Sequence, residues 1–209
     1  MDRRSFMKGS ALAIPGAVGI QMLSTRFAFA QSSDFADDVD VLNYALTLEF
    51  LESEFYRQGN AANLLSGKEA EYAQTIGADE DAHVAAISDT IKKIGGTPVE
   101  APGVDFGDAF SNRDSFLNTA HTFENLGVGA YLGAAGFIKN KDILQAAAGI
   151  FGVEAHHAAI IGNMLDLEPE GGVYMGSTET GIPKDEVLAA ATPFLASANA
   201  MSGDAAVTK

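Results

Sequence analysis

The sequence predicts an all-α fold: a four-helix bundle with one long crossover between helices two and three, plus a short C-terminal helix. Three observations predict it. Four long segments carry apolar residues at helical spacing, and no strand-type alternation of any length competes with them. Short links join the first segment to the second and the third to the fourth. A stretch rich in Pro, Gly and Asp, residues 98–108, separates the two pairs.

The first helix runs from about Asp37 to Gln58, with Val41, Tyr44, Ala45, Leu48 and Phe55 on its inner face, and Gly59-Asn60 ends it. The second begins near Ser66-Gly67-Lys68 and continues to Ile94, where Gly95-Gly96-Thr97-Pro98 stops it. The third starts between Asn112 and Asp114 and runs to about Ile138. Asn140-Lys141-Asp142 makes a tight turn, and the fourth covers roughly Asp142 to Leu165. After Leu167 the chain turns glycine-rich. An amphipathic helix from Pro183 to about Ser197 is expected on the outside or end of the bundle, followed by a disordered tail.

The third helix carries Gly127, Gly129, Gly133 and Gly136, each costing about 1 kcal/mol against Ala in a helix interior. Close approach to a neighbouring helix is the expected reason. The functional alternative is room for a helix distortion or a channel beside Glu124.

Residues 1–30 are set apart from the fold. Asp2-Arg3-Arg4-Ser5-Phe6-Met7-Lys8 resembles a twin-arginine export signal, an apolar stretch from Ala11 to Leu23 follows, and Ala28-Phe29-Ala30 suits a signal peptidase. The expected organisation is therefore a signal over 1–30, the bundle over 31–167 and a C-terminal extension over 168–209. The twin-arginine export machinery would be a partner, and the protein would be periplasmic or secreted after cleavage near Ala30. That route carries folded proteins, often with a cofactor already inserted, which suits a metal site.

Without residues 1–30 the chain keeps 9 basic and 27 acidic residues, a formal charge of −18. Such acidity argues against nucleic acid and anionic membrane surfaces as partners. There is no cysteine, so disulfides, thiolate ligands and Cys-x-x-Cys redox sites are excluded. Any bound metal is held by oxygen and nitrogen.

The chemistry lies in a pattern that occurs twice. Glu49 is followed seven residues later by Tyr56, then by Glu80 and His83; Glu124 is followed seven later by Tyr131, then by Glu154 and His157. The copies stand 74 or 75 residues apart at all four positions. Residues three apart share a helix face, so each Glu-x-x-His pair reaches one region, and Glu49 and Glu124 from the other helices bridge or cap it. Four carboxylates and two imidazoles are the ligand set of a two-metal site in a helical bundle, and four negative charges balance two divalent cations. This donor set with open positions suits iron first and manganese second; zinc would fit without redox chemistry.

Tyr56 and Tyr131, two turns beyond their glutamates, are candidate catalytic residues that hydrogen-bond the ligands or line the pocket, or else plain core residues. Register selects His157 over His156, which points about 100° away. His121, three residues before Glu124, is read as a polar core histidine, with an extra ligand as the alternative. Glu52 and Glu54 fall outside the repeat and are expected at the solvent or the rim.

These residues resemble the ferritin-like superfamily, and within it the exported bacterial ferritin-like proteins and plant desiccation-related proteins. The likeness is carried by Leu42-Asn43-Tyr44-Ala45-Leu46-Thr47-Leu48-Glu49, Asp79-Glu80-Asp81-Ala82-His83-Val84, Gly129-Ala130-Tyr131-Leu132-Gly133-Ala134 and Val153-Glu154-Ala155-His156-His157-Ala158. It spans roughly residues 37 to 167. The resemblance implies a ferritin-like four-helix bundle and carries ligand roles onto Glu49, Glu80, His83, Glu124, Glu154 and His157. Unlike rubrerythrins, the chain has no cysteine-ligated iron, so a reductase cycle would need an external electron donor.

Three functions compete. The first is a dimetal oxidoreductase acting on peroxide or oxygen, as a peroxidase, ferroxidase or manganese catalase. Second comes iron or manganese binding or storage, which calls for a homo-oligomer. The third is a stress protein with a structural metal site.

Overall fold

The computed structural model describes residues 34–195. The segment expected to be an export signal and the tail from Ala196 onward, Ser197 included, lie outside the described residues.

Helix α1 covers Asp38–Ala61, α2 Gly67–Lys93, α3 Arg113–Ala134 and α4 Lys141–Met164, with a short α5 at Lys184–Ala191. Side-chain caps explain three of the starts. Asp37 accepts a hydrogen bond from Asp40 N, Asn112 from Ser115 N and Asn140 from Asp142 N, each satisfying an amide that has no partner within its helix. Gly95, with φ +86°, ends α2 as expected: its amide and that of Gly96 turn back onto Lys92 and Ile91 carbonyls. The third helix stops earlier than the sequence suggested, with Ala135–Phe137 tightening into a 3-10 turn. Among the described residues there is no strand, only two isolated bridges.

α1 packs chiefly on α2 and α3 on α4, giving two helical hairpins joined by the crossover, and α1 also meets α3 and α2 meets α4. Asn43 pins the start of the crossover through Thr97 O and Val99 N. Asp38 accepts from the amides of Lys139 and Asn140, tying the start of α1 to the turn between α3 and α4. At the opposite end Arg113 reaches Glu69 on α2 and the Met164 carbonyl of α4.

Two apolar clusters fill the interior. One gathers Phe55, Phe116, Phe123 and Phe106 with Ile76 and Ile161; the other holds Leu46, Ile87, Ile91 and Ile143. On α2 and α4, Glu80, His83, Glu154 and His157 fall between these clusters, so a polar layer is closed above and below.

Of the glycines at 127, 129, 133 and 136, Gly127, Gly129 and Gly133 lie in α3 and Gly136 in the 3-10 turn that follows, and the expected helix–helix approach is not the main reason for them. Gly129 and Gly133 receive Ile182 of the C-terminal extension, whose amide donates to Gly129 O at 2.8 Å, while a Cβ at Gly133 would strike the Ile182 backbone. Gly127 faces carboxylates, and nothing lies within 4 Å of a Cβ at Gly136. The extension then runs into α5, which buries Val187 and Ala191 on the α3 side. The sequence placed this helix correctly but too long, since Thr192–Phe194 form a 3-10 turn.

Replacing Gly133 by Ala should destabilise the protein by about 1–3 kcal/mol, because a backbone atom cannot yield to the new methyl group. Gly136→Ala should be neutral or stabilising. Thermal unfolding of the two variants checks both.

Candidate metal centre

Each helix of the bundle contributes to one buried cluster. α1 brings Glu49, α2 brings Glu80 and His83, α3 brings Glu124, and α4 brings Glu154 and His157. The four glutamates are fully buried, His157 is 3 % exposed and His83 8 %. Their donor atoms form two overlapping sets that could each hold a metal ion: Glu49, Glu80, His83 and Glu154 in one, and Glu80, Glu124, Glu154 and His157 in the other. All six residues picked out by the repeat are therefore brought together.

Nδ1 is the inward nitrogen of both rings. His83 Nδ1 lies 3.3 Å from Glu49 Oε2, 3.1 Å from Glu80 Oε2 and 3.1 Å from Glu154 Oε1. His157 Nδ1 lies 2.9 Å from Glu80 Oε1 and 3.3 Å from Glu124 Oε2. The ring centroids are 6.3 Å apart. Glu80 and Glu154 belong to both sets and sit between the two positions, while Glu49 and Glu124 belong to one set each. Of the two roles open to Glu49 and Glu124, capping is the one this geometry favours.

Both tyrosines touch the cluster rather than merely filling the core. Tyr56 OH donates to Glu124 Oε1 and Tyr131 OH donates to Glu49 Oε1. Each phenol thus crosses from one hairpin to the other and occupies one oxygen of a capping carboxylate. The second oxygen, Oε2, is left facing an imidazole. Outside the cluster, Asp79 Oδ2 lies 3.3 Å from His157 Nε2 and orients the ring from behind.

Glu52 departs from expectation: it is 4 % exposed and lies within the site, not at the rim. Glu54 does lie at the rim, paired with Arg57 and Gln58. His121 is not a ligand; it binds the Gly172 carbonyl at 2.9 Å and supports the turn after α4. His156 is exposed, as register required.

Burial and mutual repulsion set the protonation of this cluster. Burial pushes Glu49 up to about 7 even against the pull of His83, and raises Glu124; Glu154 and Glu52 are raised well above the usual carboxylate range by burial and then by neighbouring carboxylates. Glu80 is the exception. Burial opposes its charge, but the closely facing His157 and His83 imidazoles prevail and hold it down at about 2. The imidazoles are raised to about 12 for His83 and about 11 for His157, the surrounding carboxylates overcoming desolvation. Without a cation, protons take its place.

Those protons are a poor substitute. Glu49 Oε2, Glu80 Oε1, Glu124 Oε2, both oxygens of Glu154 and His157 Nδ1 are buried without an aligned hydrogen-bond partner. Yet several of them lie within ion-pair distance of one another, His157 Nδ1 and Glu80 Oε1 among them. Close approach without alignment means that the lone pairs converge on points between the residues. That is the disposition divalent cations need, so donor set and geometry both fit a pair of ions.

A family model described as a ferritin-like domain matches residues 37–167. No curated protein matches the chain. Among solved structures, the ferritin-like, diiron-carboxylate protein of Bacillus anthracis str. Ames aligns at 20 % identity and a TM-score of 0.52. It covers 61 % of this chain and 94 % of its own. The dodecameric thioferritin of Bacteroides fragilis, a bacterioferritin-related protein, aligns at 24 % identity and a TM-score of 0.50, over 61 % of this chain and 83 % of its own. At such identities these two likenesses speak for the fold.

The pKa shifts predict how the metal-free protein responds to pH. Glu49, Glu52, Glu124 and Glu154 have folded pKa values above the unfolded 4.5, and both imidazoles lie above the unfolded 6.5. From about pH 5 to about pH 8 the native state therefore holds more protons than the unfolded chain, and its stability falls as pH rises. Glu80 works the other way, only below 4.5. Melting temperature against pH should decline across this window without metal, and added Mn2+ should protect more at the alkaline end.

Proposed function

Since this chain belongs to the ferritin-like domain family, we propose that it is an exported dimetal-carboxylate protein whose two ions, iron first and manganese second, react with peroxide or dioxygen. The observation that carries the reading is the convergence of unpartnered donor atoms from four helices on two adjacent positions. The diiron-carboxylate character of the Bacillus anthracis neighbour supports it. Export rests on the twin-arginine pattern of residues 1–30.

When bound, the ions supply the electron exchange and the open positions at which an oxidant is reduced. Everything else is done by side chains. Glu80 and Glu154 stand between the positions and hold them together, while Glu49 and Glu124 cap them. Tyr56 and Tyr131 stay protonated at neutral pH, since burial and the carboxylates they face raise both phenols well above their ordinary range. Each keeps its proton at the phenol oxygen as a donor to a capping glutamate and limits how that carboxylate can rotate. The apolar clusters on either side keep bulk water from the layer.

Reduction of peroxide to water takes two electrons and two protons. With no cysteine in the chain, a reductive cycle draws its electrons from an external donor. Disproportionation on manganese needs none. A second reading, metal binding or storage in a homo-oligomer, is favoured by the dodecameric assembly of the Bacteroides fragilis neighbour.

Protein purified from its native host without added metal should contain about two iron or manganese ions per chain and respond to peroxide by a spectral change or oxygen release. Two ions with no response would move the assignment to storage or structure; protein that takes up neither metal would overturn it. The double variant Glu80→Ala with Glu154→Ala should lose both ions. Tyr56→Phe and Tyr131→Phe should each keep two ions, with affinity reduced about 10–100-fold in a chelator competition.

A further inference from the structure

The two halves of the bundle repeat the same ligands but not the same packing beside their tyrosines. Tyr56 is closed in by phenylalanines. Phe55 and Phe116 lie edge-on to its ring, with centroids 5.5 and 6.0 Å away, and Phe123 packs edge-on to Phe55 at 5.0 Å. A step of 75 residues along the repeat carries Tyr56 to Tyr131 and Phe55 to Ala130; taken backwards it carries Phe116 to Val41 and Phe123 to Leu48. Beside Tyr131, each of the three rings is thus replaced by a smaller side chain.

The lost volume is not refilled. A cavity of about 20 Å3 lies between α1, the end of α3 and α4, with Val41, Leu48, Ala130, Ala134, Tyr44 and Tyr131 among its walls. That is room for one small molecule. No charged residue lines it, and its only polar side chains are the two phenols. Tyr131 OH is committed to Glu49, whereas Tyr44 OH is buried without a hydrogen-bond partner. Tyr131 is therefore both a wall of the cavity and the donor to a capping ligand. One ring separates a guest from the metal layer.

We propose that this cavity admits dioxygen, and not peroxide, to the metal layer, and does so from the Tyr131 side alone. The inference rests on the dimetal reading above and selects between the two oxidants that reading allows. Dioxygen has no hydrogen bonds to give up and enters apolar space readily, as xenon does. Hydrogen peroxide carries two O–H donors and lone pairs on both oxygens. Walls that offer at most one free hydroxyl would leave most of these unmet. An anion is excluded more strongly, since no cation faces the cavity. On the Tyr56 side, phenylalanine rings stand at the matching positions and close off the phenol.

Crystals of the full chain under xenon pressure, with stopped-flow oxidation of the chain loaded with ferrous iron, test this. Xenon should bind wild type among Val41, Leu48, Ala130 and Ala134, and not beside Tyr56. Val41→Phe and Leu48→Phe each install the residue of the other half. Both should exclude xenon and slow oxidation by dioxygen about tenfold or more, and two separate fillings guard against one that fails to fold. Oxidation by hydrogen peroxide should stay within about twofold of wild type. A wild-type cavity that takes no xenon, a filled variant that keeps the dioxygen rate, or equal slowing with both oxidants would overturn the inference. So would wild-type iron that reacts with peroxide alone. Bound iron that reacts with neither oxidant, in protein whose cavity takes xenon, would instead overturn the redox reading beneath it.

Discussion

Everything in this molecule answers to one electrostatic constraint: five carboxylates and two imidazoles are enclosed in the middle of a helical bundle. Desolvation of that many acids opposes folding, and only protons or cations can offset it. Glu80 illustrates the balance, since two imidazoles keep it ionised despite burial, whereas Glu154 and Glu52 are driven toward neutrality. The apolar clusters on either side make the penalty unavoidable by denying the layer a route to water.

The two tyrosines make this layer an element of the architecture. Tyr56 on α1 holds Glu124 on α3, and Tyr131 on α3 holds Glu49 on α1. Where the hairpins meet, these reciprocal hydrogen bonds supply directional contacts that apolar packing lacks. They also settle which oxygen of each capping carboxylate remains free. The orientation of the ligands and the docking of the hairpins are therefore the same set of interactions.

Much of this was legible in the sequence, and the reason is periodicity. The two Glu-x-x-His pairs, with Glu49 and Glu124 from the same repeat, placed six residues on inward faces, and Gly95 and the capping residues marked the helix ends. Glu52 was missed because a repeat reports only what both copies share, and its counterpart is Gly127. Burial of a lone acid has no local signature; the only clue was a glycine at the matching position. The glycines of α3 misled for a related reason. Gly129 and Gly133 serve Ile182, some fifty residues away in the chain, and no local pattern encodes such a contact. The capping of Glu49 and Glu124 and the placement of Asp79 behind His157 depend on helix rotation and side-chain torsions, which spacing leaves open.

Neither set of donors lies within one hairpin. The first position takes Glu49, Glu80 and His83 from one hairpin and Glu154 from the other; the second takes Glu80 from one and Glu124, Glu154 and His157 from the other. The chain is thus organised as a dimer of hairpins tethered end to end, with its active groups lying on the seam. In such an arrangement each half is the template for the other, and exchanging the halves would leave the six shared ligands where they are. The pair Glu52 and Gly127, together with Asp79 behind His157, gives the seam a direction, telling one half from its twin.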